Sequence, residues 1–445
     1  MHGLLESAFS HRKLEVYLRK KKLGYSTHRV ITPYINLDKL QMEEYIKKRK
    51  KLHRLDRREK RIRENGDVQV LIKGPEEMET IHKIHDKRWK KKHDTSGFTN
   101  LREKVFFESL ALLQEGVLKT EIDGLYMDDR MIAFNYGFEC RGRYISYVLG
   151  FDDDFEVFSP GRILEKEKIL QCGRRELNIF DLSIGYETYK FDWNTDLDYT
   201  KKVIFSSKTL LAQINRMFLT TKESIISRIK IHQSLVMFKR NKIGKILYVL
   251  KNLFNKNEYK DVWQAIVNFV QPRWNSLFEW KQYCIYEIDR KKVSEFVGSQ
   301  DFMRLHITDA INNETIKYHM KAICTKVYGA FKGYYPRNLL SFKDIFWINE
   351  KVIRIDDVSY LKDLKKSSVF IENWTMSNLR DICSFVHKQS KANKIFICVK
   401  AKSTKEIAAI EEVGFTLNQL IVKRTVFGYS IVPTSNGSVL PNLKS

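Results

Sequence analysis

Apolar and polar positions along the first 66 residues give a helical pattern that breaks at Gly24, then a β-rich run over His28-Arg29-Val30-Ile31-Thr32-Pro33-Tyr34-Ile35. A strongly charged helix follows from about Leu37 to Glu64, with Tyr45, Ile46, Leu52, Leu55 and Ile62 as a sparse apolar stripe. From Val68 to Ser207 strands alternate with helices, told apart by period two against a spacing of three to four. Strands are expected at residues 68–72, 118–122, 125–127, 131–138, 144–149 and 178–183, and helices at 76–92, 101–114 and 162–172. Asp128 and Asp129 read as a hairpin turn, because Asp tolerates the tight backbone there. Antiparallel strands followed by a helical crossover to a later strand make an α+β sheet with helices on its faces.

Residues 216–260 differ in kind. Eleven basic residues oppose only Glu223 and Glu258, while Ile225, Ile226, Ile229, Val236, Ile243, Ile246, Leu247, Leu250 and Phe254 recur at helical spacing. Amphipathic helices with a basic face are expected, serving as an interdomain connector or lying on an anionic membrane surface. From Trp263 to Tyr429 the mixed pattern returns. Strands are expected at 283–288, 327–331, 352–355, 369–372 and 394–400 with a closing strand after Phe415, and helices at 290–297, 378–389 and 404–413. The two halves share one order of elements, so the expected layout is an N-terminal segment 1–66, a first domain 67–215, a connector 216–262, a second domain 263–435 and a tail 436–445.

With 445 residues the chain is about three times the usual domain length, and 43% hydrophobic with 12% aromatic residues excludes a disordered or collagen-like protein. Lysines and arginines exceed acids by 25, which favours anionic partners such as nucleic acid, acidic membranes and phosphorylated cofactors. Six cysteines without a C-x-x-C pair argue against a disulfide scaffold and a zinc ribbon, and suit reduced thiols in a cytosol. Neither the pattern of a signal peptide at Met1–Ser7 nor a membrane-spanning apolar run is seen, which points to a cytoplasmic protein, at most peripheral to a membrane.

Two stretches carry candidate chemistry. Phe158-Ser159-Pro160-Gly161-Arg162-Ile163-Leu164 feeds a helix start, where unpaired amides and the positive dipole end suit a pyrophosphate; Gly161 allows close approach and Arg162 adds charge. The same pattern is also that of an ordinary cap and turn. The second stretch, Phe180-Asp181-Leu182-Ser183-Ile184-Gly185-Tyr186-Glu187-Thr188-Tyr189-Lys190, lies at the end of the next strand. There Asp181 or Glu187 could act as base and Tyr189 or Lys190 as donor in an acylation, the alternative being a surface turn with a lysine ion pair. His82 and His85, with His93 beyond, lack further ligands at metal-binding spacing and read as ordinary surface residues, so no metal is expected. No phosphate-binding Walker loop, nucleophile elbow or His-Glu-x-x-His helix occurs.

Residues Asp123 to Trp193 resemble the CelD-type branch of the GNAT acetyltransferase superfamily, related to the FemAB peptidyltransferases. The resemblance rests on Met131-Ile132-Ala133-Phe134, Tyr144-Ile145-Ser146-Tyr147, Gly150-Phe151-Asp152, Ser159-Pro160-Gly161 and Gly185-Tyr186-Glu187-Thr188-Tyr189-Lys190. The basic helix around Lys47 to Arg63 also resembles the one preceding that domain. The resemblance implies transfer of an acyl group, acetyl above all, from acetyl-CoA to an amine or hydroxyl of a sugar or cell-envelope acceptor. The pantetheine would lie between splayed strands and the diphosphate over Ser159 to Leu164. Two departures stand out. The usual loop has two spaced glycines where this chain has Gly161 alone, and members usually begin with a further half-domain, which this chain is expected to enter midway.

Lys394-Ile395-Phe396-Ile397-Cys398-Val399 and Ile407-Ala408-Ala409-Ile410-Glu411-Glu412-Val413-Gly414-Phe415 resemble a second GNAT domain. Tandem GNAT-like domains are therefore expected, each a mixed, mainly antiparallel sheet flanked by helices. Asp381 and Cys383 stand where glycines would, so this half is expected not to bind CoA in the usual way. Two rivals remain. One is a FemAB-like enzyme using aminoacyl-tRNA, suggested by the basic charge. The other is a non-enzymatic protein that holds nucleic acid or a membrane surface.

Overall fold

Each of two large sheets is built around one parallel strand pair in an otherwise antiparallel order. The computed structural model describes residues 4–231 and 278–436, apart from residues 7, 50–52, 91–100, 297, 299, 340, 391, 427–428 and 433. The chain divides into two units, Met1–Leu253 and Phe254–Ser445.

The first unit begins with β1 (Leu4–Leu5), α1 (Phe9–Lys20) and β2 (Gly24–Asn36), then α2 (Met42–Lys48), α3 (His53–Arg63) and β3 (Val68–Lys73). Next come α4 (Met78–Lys90), α5 (Leu101–Ala111), β4 (Leu118–Met127), β5 (Arg130–Cys140), β6 (Arg143–Phe151), α6 (Pro160–Arg174) and β7 (Ile179–Asp181). The unit's described residues close with α7 (Thr188–Trp193), β8 (Asp196–Ser206) and α8 (Leu210–Ile231). The strand order is β1-β8-β2-β7-β6-β5-β4-β3, and β6 and β7 are the parallel pair joined across α6. Strand β2, from the segment expected to precede the domain, lies inside this sheet between β7 and β8.

The second unit runs β9 (Phe278–Asp289), α9 (Arg290–Val293), β10 (Phe302–Leu305), α10 (Ile307–Asn312), α11 (Met320–Tyr328), β11 (Lys332–Pro336) and β12 (Phe346–Asn349). A separate hairpin of β13 (Val352–Ile355) and β14 (Tyr360–Asp363) precedes β15 (Ser368–Glu372), α12 (Leu379–Gln389), β16 (Lys394–Lys400), α13 (Thr404–Glu412), β17 (Thr416–Val426), β18 (Tyr429–Ile431) and β19 (Thr434–Asn436). Its order is β10-β11-β12-β15-β16-β9-β17-β18, with β19 on β17 and with β15 and β16 parallel across α12. In both units the opening long strand is inserted between the strand after the helical crossover and the closing long strand. The α+β architecture expected from the pattern is therefore present twice, in one topology.

Local chemistry explains the elements that hold the site. Asp128 takes the left-handed conformation, φ 50°, that the tight β4–β5 turn requires. Strand β5 is buried on both faces from Met131 to Gly137, as a central strand should be. Helix α6 packs across β4, β5 and β6 with Gly161, Ile163, Leu164, Ile169 and Cys172 inward. Each large apolar side chain so buried contributes roughly 1.5–3 kcal/mol. In the second unit Tyr286, Phe346, Ile371, Ile382 and Ile397 anchor the corresponding core.

Several expectations need correction. The single helix expected over 37–64 is broken: Leu37–Lys39 is a 3₁₀ turn and Arg49 leaves the helical region at ψ 84°. Strands 118–122 and 125–127 are one strand, and Val327 belongs to α11, the strand starting only at Lys332. His82 and His85 are buried, where surface residues were expected; desolvation holds His85 down at about 4, and the His82 imidazole sits 3.2 Å from the Glu108 carboxylate. The connector beyond Ile231, including Val236, Ile243, Ile246, Leu247, Leu250 and Phe254, lies outside the described residues, as do His93 and most of the tail.

Candidate active site

Strand β6 is nine residues long but pairs with β7 only where Arg143–Ile145 meets Ile179–Asp181. From Ser146 to Phe151 no strand among the described residues pairs with that edge of β6, so the sheet opens there. The cause is the short course of β7. Asp181 ends it and is held on both oxygens: Oδ2 accepts from Arg143 Nε at 3.0 Å and Nη2 at 2.7 Å, and Oδ1 accepts the Ser183 amide at 2.7 Å. The chain then veers to β2, where the amides of Leu182 and Gly185 donate to Pro33 and Ile31 carbonyls. Gly185 makes that turn at φ 134°, a conformation other residues rarely adopt. A bulge at Tyr147, where the β5–β6 register shifts between Tyr136 and Gly137, falls just beyond the last β6 residue paired with β7 and adds local twist there. A parted strand edge presents backbone N–H and C=O groups to an extended, amide-bearing ligand.

The loop after β6 leads to α6 through a 3₁₀ turn, Asp153–Phe158, pinned by Lys87 to Asp152 at 2.7 Å and Asp154 at 2.6 Å. Ser159 takes the left-handed conformation before Pro160, and its hydroxyl accepts a hydrogen bond from Arg58 on α3. The helix start is more closed than expected. Pro160 has no N–H, and the amides of Arg162 and Ile163 both donate to the Ser159 carbonyl, at 3.0 and 3.2 Å, leaving the Gly161 N–H as the amide the first turn offers. Gly161 backs onto β6, where an added Cβ would lie 3.1 Å from the Phe151 ring. Ile163 and Leu164 are fully buried core residues, and Arg162 is bound to Asp192 at 3.1 Å. Of the five residues expected to hold a diphosphate, the side chains of Arg162, Ile163 and Leu164 are thus engaged elsewhere, because α6 needs them to pack.

Of the four expected catalytic residues, Asp181 is the strand-end clamp already described, so it is not available as a base. Lys190 is buried, donates to the Ile184 carbonyl at 2.6 Å and lies 3.1 Å from Glu187, so its ammonium holds the 183–187 turn together. Glu187 is exposed, and Tyr189 is the expected residue with the most distinctive surroundings. Burial, reinforced by the Glu165 and Glu187 carboxylates, pushes its phenol well above the ordinary tyrosine value. The guanidinium of Arg88, which stacks 3.7 Å over the Phe151 ring at the end of β6, acts on the same phenol in the opposite sense.

Two residues that bear on this region escaped the sequence reading. Glu165 of α6 is 1% exposed with Oε2 lacking a hydrogen-bond partner, and burial pushes its carboxyl up to about 8 despite the Trp193 indole, Arg162 and Lys190 nearby. Lys168, one turn on and fully buried, donates to Asp123 at 2.7 Å and Glu121 at 2.6 Å, tying α6 to β4. Both stand at helical spacing among Leu164, Ile169 and Cys172, so a carboxylate and an ammonium on the apolar face were the signal. The basic helices are anchored as well: Tyr45 donates to the Trp193 carbonyl and Arg49 to the Asn194 carbonyl at 2.8 Å, beside α7.

No curated protein matches this chain. Among 26 matching chains of solved structure are L-PGS from Bacillus licheniformis, with 12% identity over 47% of this chain and 70% of that one at a TM-score of 0.34, and FemX, with 11% identity over 42% and 67% at 0.32. A tandem GNAT protein from the clavulanic acid biosynthesis pathway matches with 5% identity over 84% of this chain and 100% of that one, at a TM-score of 0.22. Likeness at these scores carries no argument. A family model described as an acetyltransferase (GNAT) domain matches residues 48–191, about a third of the chain. The stretch whose strands part is thus the stretch that matches the acetyltransferase (GNAT) domain.

Proposed function

We propose that the first unit transfers an acyl group, acetyl in the simplest case, from a coenzyme A thioester to an amine or hydroxyl of a sugar or cell-envelope acceptor. The observation that carries this reading is the parting of β6 from β7 inside the segment matched by the acetyltransferase (GNAT) family. The residues fit such a donor at the strand edge: Ser146 to Phe151 offer main-chain partners to the amides of a pantetheine arm. At its anionic end the Gly161 N–H and Arg58 beside Ser159 supply attraction, without the side chains of Ile163 and Leu164.

Tyr189 keeps its proton at neutral pH and gives it to the leaving thiolate as the C–S bond breaks and the new N–C or O–C bond forms. Glu187, with both Asp181 oxygens occupied, is the carboxylate left to take the acceptor's proton. Arg88, stacked on Phe151 at the end of β6, brings a positive charge to bear on the same phenol. The reading is tested on the full chain by calorimetric titration with acetyl-CoA and by thiol release with amine and sugar acceptors. Tyr189→Phe should leave the affinity unchanged and lower thiol release by roughly 10²–10³. Absence of acetyl-CoA binding overturns the assignment, and unchanged thiol release removes Tyr189 from it. Binding of aminoacyl-tRNA in its place, weakening as salt rises, would move the donor to the FemAB-like alternative.

A further inference from the structure

Helix α8 sets Arg216, Thr220 and Glu223 against the sheet and leaves several of its large apolar side chains exposed. Thr220 Oγ1 shares a 2.6 Å hydrogen bond with Ser26 Oγ on β2, Glu223 pairs with Lys202 on β8, and the Arg216 guanidinium lies over Gly24. On the outward side Leu210, Leu211, Ile214, Met217, Phe218 and Ile225 are 55–82% exposed. A helix on a water-facing surface ordinarily turns its large apolar side chains inward, and an exposed apolar face of this kind marks an interaction surface. The face follows a helix of 22 residues, about 33 Å long.

Charge identifies the occupant. The exposed charges along this face, Lys208, Lys222 and Arg228, are all positive, and the helix's single acid, Glu223, is turned inward to Lys202. In sequence, residues 232–260 add seven basic residues against Glu258 alone. A second copy of a chain with net charge +25 would be repelled. Apolar side chains flanked by cations are what an anionic bilayer takes up, the former at the acyl boundary and the latter at the phosphates. No helix among the described residues is long and apolar enough to cross a membrane. We propose that α8 lays its Leu210–Ile225 face on the surface of an anionic lipid bilayer, independently of the acyl-transfer reading.

The test is flotation of the full chain with vesicles of phosphatidylcholine, with and without phosphatidylglycerol. Binding is expected to require phosphatidylglycerol and to weaken as salt shortens the reach of surface charge. Leu211→Glu with Phe218→Glu, both exposed and therefore compatible with folding by circular dichroism, should reduce binding at least tenfold. Lys222→Gln and Arg228→Gln should each reduce it about fivefold, the equivalent of about 1 kcal/mol per cation. Leu112→Glu, at an exposed apolar position beyond α5, should change nothing. Equal binding to both vesicles, no binding to either, or full binding by the Leu211→Glu/Phe218→Glu protein overturns the proposal. It is also overturned if those substitutions instead dissolve a dimer seen by sedimentation without lipid.

Discussion

Replacing Glu165 by Gln keeps the volume of a fully buried side chain and removes its ionisation. With the carboxyl at about 8 in the folded protein against 4.5 ordinarily, the folded state keeps a proton that the unfolded chain releases. The stability this confers is complete below 4.5 and is lost as pH rises to about 8, so stability falls with pH across that window. A difference of about 3.5 units at about 1.4 kcal/mol each amounts to about 5 kcal/mol, of which about 3 kcal/mol is already lost at pH 7. The Glu165→Gln protein has no such group, so its stability relative to the native protein should climb by up to about 5 kcal/mol between about pH 5 and 9. Because the chain divides into two units, urea titrations followed by hydrogen exchange on α6 peptides report on the unit that holds Glu165. Parallel pH curves for the two proteins would refute the claim that Glu165 is held neutral by its burial.

Lys168→Met should cost about 3–5 kcal/mol in urea unfolding, because it strands the fully buried Asp123 carboxylate, and Lys168→Met with Asp123→Leu should recover most of that loss. Gly150→Ala should cost about 1–3 kcal/mol in thermal unfolding, since its Cβ would fall inside van der Waals contact with the Phe134 ring, and Phe134→Leu in the same chain should relieve it. Calorimetry of the whole chain should find one acetyl-CoA site, not two: β15 is paired with β16 over residues 368–371 of its 368–372, whereas β6 is paired with β7 only over residues 143–145 of its 143–151, and Cys383 is buried in the core. A stoichiometry of two would show that the second unit binds after all.

Legibility in the sequence followed how local the cause was. The β4–β5–β6 meander and α6 were readable because alternating or helical burial is written within a dozen residues and the Asp128 turn has its own backbone chemistry. Helix α7 was missed because its six residues, Thr188–Trp193, are too few to show a period. The break in the 37–64 helix went unseen because its charged residues keep the same spacing on either side of Arg49. The candidate site suffered most, since Asp181, Lys190 and Arg162 look equally reactive on paper. Arg143, the Ile184 carbonyl and Asp192 claim them only once the chain is folded.

Pattern alone determined that this chain builds two α+β sheets with a basic, amphipathic stretch between their sequences, because burial and charge are properties of residues and of their short-range spacing. Tertiary structure decided that β2 enters the sheet against β8, about 170 residues away, that β6 and β7 part after three paired residues, and that α8 leaves several of its large apolar side chains exposed. Those outcomes depend on which distant strand supplies hydrogen bonds and which partner neutralises a buried charge. Both are settled by the free energy of the whole sheet, which no local run of residues contains.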